Sequence, residues 1–241
     1  KDLFVGVCRP SRRSRCETVK RPRKSAKTNV SQPEAPSVKP GEDCEALTLS
    51  DLAAAKKFPE SFLVSLGLRD IKLGGRNAVA IPYLGEDGAE TATRYRLALK
   101  GDARFRWRSG AKVSLYGLQR LPNIHRAGWA LIVEGESDCW TLWYHGQPCI
   151  GAPGKTNWKK PWAAHFKGVE AFIWQEPDAA DFSQRIGKDI PDARVIVAPD
   201  GVKDISEAHL AGKDVAALIE DLKRTAIPIA DLLREQQHED L

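Results

Sequence analysis

Apolar and polar positions follow two regimes along this 241-residue chain. In the second half, short apolar runs recur at Ala130 to Val133, Pro148 to Ala152, Ala171 to Trp174 and Arg194 to Ala198. Runs this short and continuous suit buried strands. Between them the pattern predicts helices over Cys139 to Tyr144, Lys160 to His165 and Ala179 to Ile190, then Val215 to Lys223 and a polar helical tail. Strands alternating with helices indicate βαβ units around a mainly parallel sheet. Earlier, Thr48 or Ser50 caps a helix through Leu52 to Lys57, and Pro59 opens a second, Glu60 to Leu66, ended by Gly67. Strands are expected at Ala78 to Pro82, Thr91 to Leu99 and Phe105 to Arg108. Gly85-Glu-Asp-Gly88 is a hairpin turn with Asp-Gly at its tip. Leu115-Tyr-Gly-Leu118 closes that segment.

Residues 1–45 lack this patterning after Val7 and are rich in Arg, Lys, Ser and Pro, which reads as a disordered arm. The net charge is +5, and the first forty residues carry eleven Lys and Arg against three Asp and Glu. The basic balance therefore belongs to the arm, and the body is slightly acidic. Such an arm adds sequence-independent grip on nucleic acid or is merely solvated. Five cysteines at irregular spacing, with no Cys-x-x-Cys, argue against a disulfide framework and a zinc ribbon and fit a reducing cytoplasm. No apolar run reaches membrane-spanning length, so no membrane partner is expected. Methionine is absent even at position 1, as expected of a piece of a longer chain.

The chemistry lies where the strands end. Glu134 follows a buried strand, Gly135 permits a sharp turn, and Asp138 falls in the first helical turn, capped by Glu136 or Ser137. Glu176 and Asp178 follow the next strand but one, and Asp204 comes after the last. All leave one edge of a parallel sheet, where ligands bind in open α/β folds. Carboxylates gathered there repel one another until a divalent ion relieves them, and all-oxygen donors suit Mg²⁺ or Mn²⁺. Gly154-Lys155-Thr156 lacks the spacing of a P-loop, although Lys155 can still face the cleft. His145, His165 and His209 are scattered and read as structural or exposed, with no zinc pair among them. Arg94 and Arg96 share one strand face, and Arg104, Arg106, Arg108 and Lys112 follow with Phe105 and Trp107 interleaved. That pattern suits phosphate and base contacts.

Val133-Glu-Gly-Glu-Ser-Asp138, Gly151-Ala-Pro-Gly154, Glu176-Pro-Asp178 and Lys203-Asp204 resemble, in order, the motifs of the TOPRIM family. Ala80-Ile-Pro82, the Asp87-Gly88 turn, Arg94, Arg96 and Leu115-Tyr-Gly-Leu118 narrow the resemblance to DnaG-type DNA primases of bacteria and phages. It spans residues 47–225. It implies an arm at 1–45, a small α+β basic subdomain at 46–126, a Rossmann-like TOPRIM domain at 127–225 and a helical tail or linker at 226–241. It further implies metal-dependent synthesis of short RNA primers on single-stranded DNA, a nucleotidyltransferase activity. Glu134 and Asp138 would be catalytic, and Glu134, Glu176, Asp178 and Asp204 would hold the metal. Arg94, Arg96, Arg106, Lys112, Lys155 and Lys203 would bind template and ribonucleoside triphosphates. A replicative helicase, in cis or in trans, is the further implied partner. Glu176 stands where Asp is usual, Ser206 where a second acid is common, and no zinc module is present, so no zinc is expected in this piece. A TOPRIM nuclease and a non-catalytic nucleic-acid-binding module are the alternatives.

Overall fold

The structure, a computed structural model, describes residues 47–239, so the arm expected at 1–45 lies outside the described residues. Thr48, not Ser50, starts the first helix, α1 (Leu49–Lys56). Its hydroxyl oxygen accepts the Asp51 N–H while its own N–H donates to the Asp51 carboxylate, the reciprocal pattern of a capping box. Pro59 then opens α2 (Glu60–Ser65).

A four-stranded antiparallel sheet follows in sequence order: β1 (Arg69–Leu73), β2 (Arg76–Leu84), β3 (Glu90–Arg96) and β4 (Phe105–Trp107). The last three were expected and β1 was not. Register sets Arg94 opposite Trp107 and Arg96 opposite Phe105, so these four share a face, whereas Arg106 pairs with Tyr95 on the other.

A 3-10 turn at Leu118–Arg120 leads into α3 (Leu121–Ala127), a helix absent from the sequence reading. Its Leu121 and Ile124 join the apolar layer under the parallel sheet, so the chain enters that sheet's core before the boundary expected at residue 126. The sheet begins with β5 (Trp129–Glu134), followed by α4 (Gly135–Tyr144), β6 (Cys149–Ala152), β7 (Glu170–Gln175), α5 (Ala180–Gly187) and β8 (Arg194–Val197). Next come α6 (Ile205–Leu210), α7 (Val215–Thr225), β9 (Ile227–Pro228) and α8 (Ile229–Glu239). Strand order is β6-β5-β7-β8-β9, parallel except for β9 at the edge. Lys160–Phe166 forms a 3-10 helix, with Pro161 at its start.

Both faces of the parallel sheet are covered, which is why its strands read as unbroken apolar runs. Leu131, Val133, Phe172 and Trp174 point into one layer with α4, α6 and α7. Ala130, Ile132, Ala171 and Ile173 point into the other with α3, α5 and α8. The first layer also takes in Val79, Ile81 and Tyr83 of β2 and Leu52 of α1, so one core joins both sheets. Residues 226–239 are no loose linker: β9 adds a strand, and fully buried Ile229 packs against Gly187, where an added Cβ would lie 2.1 Å from the Ile229 Cγ1.

Candidate active site

Positive φ at Gly135, +78°, turns the chain from β5 into α4 without a break. Glu134 becomes the N-cap residue, so Glu136 and Ser137 lie inside the first turn and do not cap it, contrary to expectation. Cys139, Trp140, Leu142 and Trp143 press α4 onto the sheet. Gly151 of β6 lets the helix approach: a Cβ there would lie 2.8 Å from Cys139 Sγ. Asp138 is thereby buried at the sheet edge, where its Oδ1 accepts the Ser206 N–H at 3.0 Å.

A cleft of about 460 Å³ opens at this edge. Glu134, Asp138, Glu176, Asp178 and Asp204 all line it, as do Arg94, Arg96, Lys155 and Lys203. Arg106 and Lys112 do not join them. Arg106 faces the other side of β4, and Lys112 lies exposed in the loop beyond it. Asp204 stands at no strand end; it caps α6, accepting the Glu207 N–H at 2.7 Å. The structure adds three charged lining residues that the sequence does not assign to the site: Lys56, Arg104 and Glu136. No local signal marks Lys56, whose helix lies far along the chain from the acids. Arg104 was visible only as one member of a charge run.

The acids are under electrostatic load. Burial raises Glu134 to about 7, with Glu176 as the next cause, and its Oε1 is buried without a hydrogen-bond partner among the described residues. Burial, then Asp204, also raises Glu176. Asp138 is held well above the usual carboxylate range by burial and Asp204. Asp178 differs: it is exposed and accepts Lys155 Nζ at 2.8 Å, which lowers it. Among the described residues no three His, Cys, Asp or Glu side chains are already gathered around one point. The orphaned Glu134 oxygen and the mutual repulsion of the acids nevertheless fit a hard divalent cation.

The opposite wall is arginine stacked on aromatic rings. The guanidiniums of Arg94, Arg96 and Arg104 lie 4.2, 5.1 and 5.5 Å from the Phe105 ring centre. Arg94 donates to both oxygens of buried Glu136 at 2.9 and 3.1 Å, and the Tyr83 hydroxyl donates to the same carboxylate at 2.5 Å. Arg96, lowered to about 10 chiefly by burial, donates to Ala98 O, Leu99 O and Ser137 Oγ.

The histidines are not all scattered. His145 Nε2 and His209 Nδ1 lie 3.0 Å apart, and His209 stacks on Phe58 away from the cleft. Among the described residues no helix is long and apolar enough to cross a membrane.

No family model matches the chain. The gene 57 protein of Mycobacterium phage D29 is 31% identical over 152 residues, 60% of this chain and 97% of that protein. The chain belongs to the family of that gene 57 protein. A solved DnaG primase catalytic domain bound to single-stranded DNA is similar at a TM-score of 0.66 and 14% identity, over 82% of this chain and 77% of its own. The primase fragment of the bacteriophage T7 primase–helicase is similar at a TM-score of 0.53 and 22% identity, over 67% and 70% respectively. The gene 57 relative therefore sets the family, and the solved structures set the fold, an α/β arrangement like that of DnaG-type primase catalytic cores.

Proposed function

We propose that the chain is the catalytic core of a DNA primase, joining ribonucleotides into short primers on single-stranded DNA. The observation that carries this reading is the cleft itself, in which repelling, half-buried acids at a parallel-sheet edge face stacked arginines. Glu134 and Glu176 would hold Mg²⁺ or Mn²⁺, with Asp178 and Asp204 beside them. When bound, such an ion neutralises triphosphate charge and withdraws charge from the phosphorus under attack.

The chain's own residues do the rest. Glu134, raised toward neutrality by burial in the metal-free fold, would lose its proton as the ion binds and serve as its ligand. Asp138 fixes α6, and with it Asp204, through the Ser206 N–H. Arg94, Arg96, Lys155 and Lys203 line the route for phosphates. In this reading the antiparallel sheet is the basic subdomain that guides the template, and the parallel sheet is the catalytic domain.

Incubation with single-stranded DNA, Mg²⁺ and labelled ribonucleoside triphosphates, with and without a replicative helicase, should yield short oligoribonucleotides. DNA cleavage instead of incorporation would assign a nuclease. Binding without either would leave a non-catalytic module.

A further inference from the structure

Six acids line the cleft, and one of them is already occupied. Glu136 is 2% exposed, and among the described residues it alone of the six has both carboxylate oxygens bonded. Arg94 Nη1 donates to Oε1 at 2.9 Å and to Oε2 at 3.1 Å, and the Tyr83 hydroxyl donates to Oε1 at 2.5 Å. Tyr83 belongs to the apolar layer shared by the two sheets, so the core itself fixes this carboxylate. A divalent ion would have to displace both donors to reach it.

What Glu136 fixes in turn is Arg94. A guanidinium is a planar fork of donors, and here Nη1 is taken while one face lies 4.2 Å from the Phe105 ring centre. The edge formed by Nε and Nη2 is left over. Nε is buried without a partner, and Nη2 makes no hydrogen bond among the described residues. That edge is the side-on fork able to grip two oxygens of one phosphate, on a residue that lines the cleft. Arg96 makes the contrast, because its Nε, Nη1 and Nη2 all donate to protein acceptors.

We infer that Glu136, braced by Tyr83, is a positioning residue that holds Arg94 by Nη1 so that its Nε–Nη2 edge is presented to a phosphate. The inference rests on the primase reading of the same cleft and deepens it. Glu136 is then no metal ligand, and its charge serves the basic wall although it stands among the acids. The shared chemistry is a phosphate oxygen pair, carried either by the template backbone or by a nucleoside triphosphate.

The test reads binding in Mg²⁺ with each ligand alone, so that no primer can form. Labelled oligothymidylate is followed by anisotropy and ATP by calorimetry. Glu136→Gln, its fold checked by circular dichroism, keeps the shape but loses the charge and one acceptor. It should weaken at least one ligand about tenfold, and the arm that weakens names the source of the phosphate. Simply removing a negative charge beside a polyanion would tighten binding. No loss in either arm would therefore overturn the inference and leave the primase reading standing. On an Arg94→Ala background, Glu136→Gln should have no further effect, and an equal loss there would also overturn the inference. Tyr83→Phe should weaken the same ligand about twofold. It decides if Glu136→Gln fails to fold, and unchanged binding then overturns the inference. A wild-type chain that binds neither ligand would overturn both readings.

Discussion

The two walls of the cleft solve opposite problems. On the antiparallel sheet, Arg94 and Arg96 are held by a carboxylate, carbonyls and the Phe105 ring before any ligand arrives. On the parallel sheet, Glu134 keeps a buried oxygen with no partner among the described residues, and Glu176 and Asp138 are raised by burial and by their neighbours. The basic wall is mostly paired from within, although Arg94 Nε is buried without a partner among the described residues, so it is largely pre-organised to receive phosphates. On the acidic wall Asp138, Asp178 and Asp204 find partners in the protein, and it is Glu134 that waits for something added. A buried charge left unpaired is costly, and it persists here at the site of the proposed chemistry.

The largest effect should come from removing the unsatisfied acid. Glu134→Gln should lower primer synthesis by about 10²–10³-fold, while the metal-free protein melts at least as high as wild type at pH 8. Breaking the satisfied wall should show the reverse pattern. Glu136 is 2% exposed and anchors both Arg94 and Tyr83. Glu136→Ala should cost about 3 kcal/mol in urea denaturation by leaving Arg94 unpaired, and Tyr83→Phe about 1 kcal/mol.

Proton linkage sharpens the contrast. Glu134 titrates near 7 in the fold against 4.5 as its ordinary value, so the folded state binds more protons between those limits. Metal-free stability should therefore fall as pH rises from about 5 to 8. Saturating Mn²⁺, which competes with that proton, should flatten the slope, and calorimetry in the two conditions checks the sign. The smallest change should leave both walls untouched. Thr48→Ala removes the α1 cap at a cost of about 1 kcal/mol, visible as a modest shift in the urea midpoint.

How much of this was legible in the sequence follows from where its information lies. The parallel strands announced themselves because both their faces are buried. The acids at their ends were legible from position alone: Glu134, Glu176 and Asp178 sit where β5 and β7 run out. β1 escaped because only Ile71 and Leu73 of its five residues turn from solvent on an edge strand, leaving almost no period. α3 escaped because two buried residues, Leu121 and Ile124, are all that its seven show. β9 is two residues long, below any pattern. Lys56 and Glu136 were invisible as site residues for a different reason. Their partners Ser206, Tyr83 and Arg94 lie 150, 53 and 42 positions away, and only the packing of α1, β2 and β3 against the parallel half creates the contacts. Arg106 shows the converse. A basic run suggested a contributor, but the strand pleat turned it to the wrong side.

Seven tryptophans are present, and six belong to the parallel half. Trp107 alone sits on the antiparallel sheet, 5.4 Å from the Arg94 guanidinium and 4.7 Å from the Tyr83 ring. Its indole is thus an intrinsic fluorophore set behind a cleft-lining arginine. Any polyanion that pulls Arg94 away changes the surroundings of that one emitter, so occupancy can be read by light without a label.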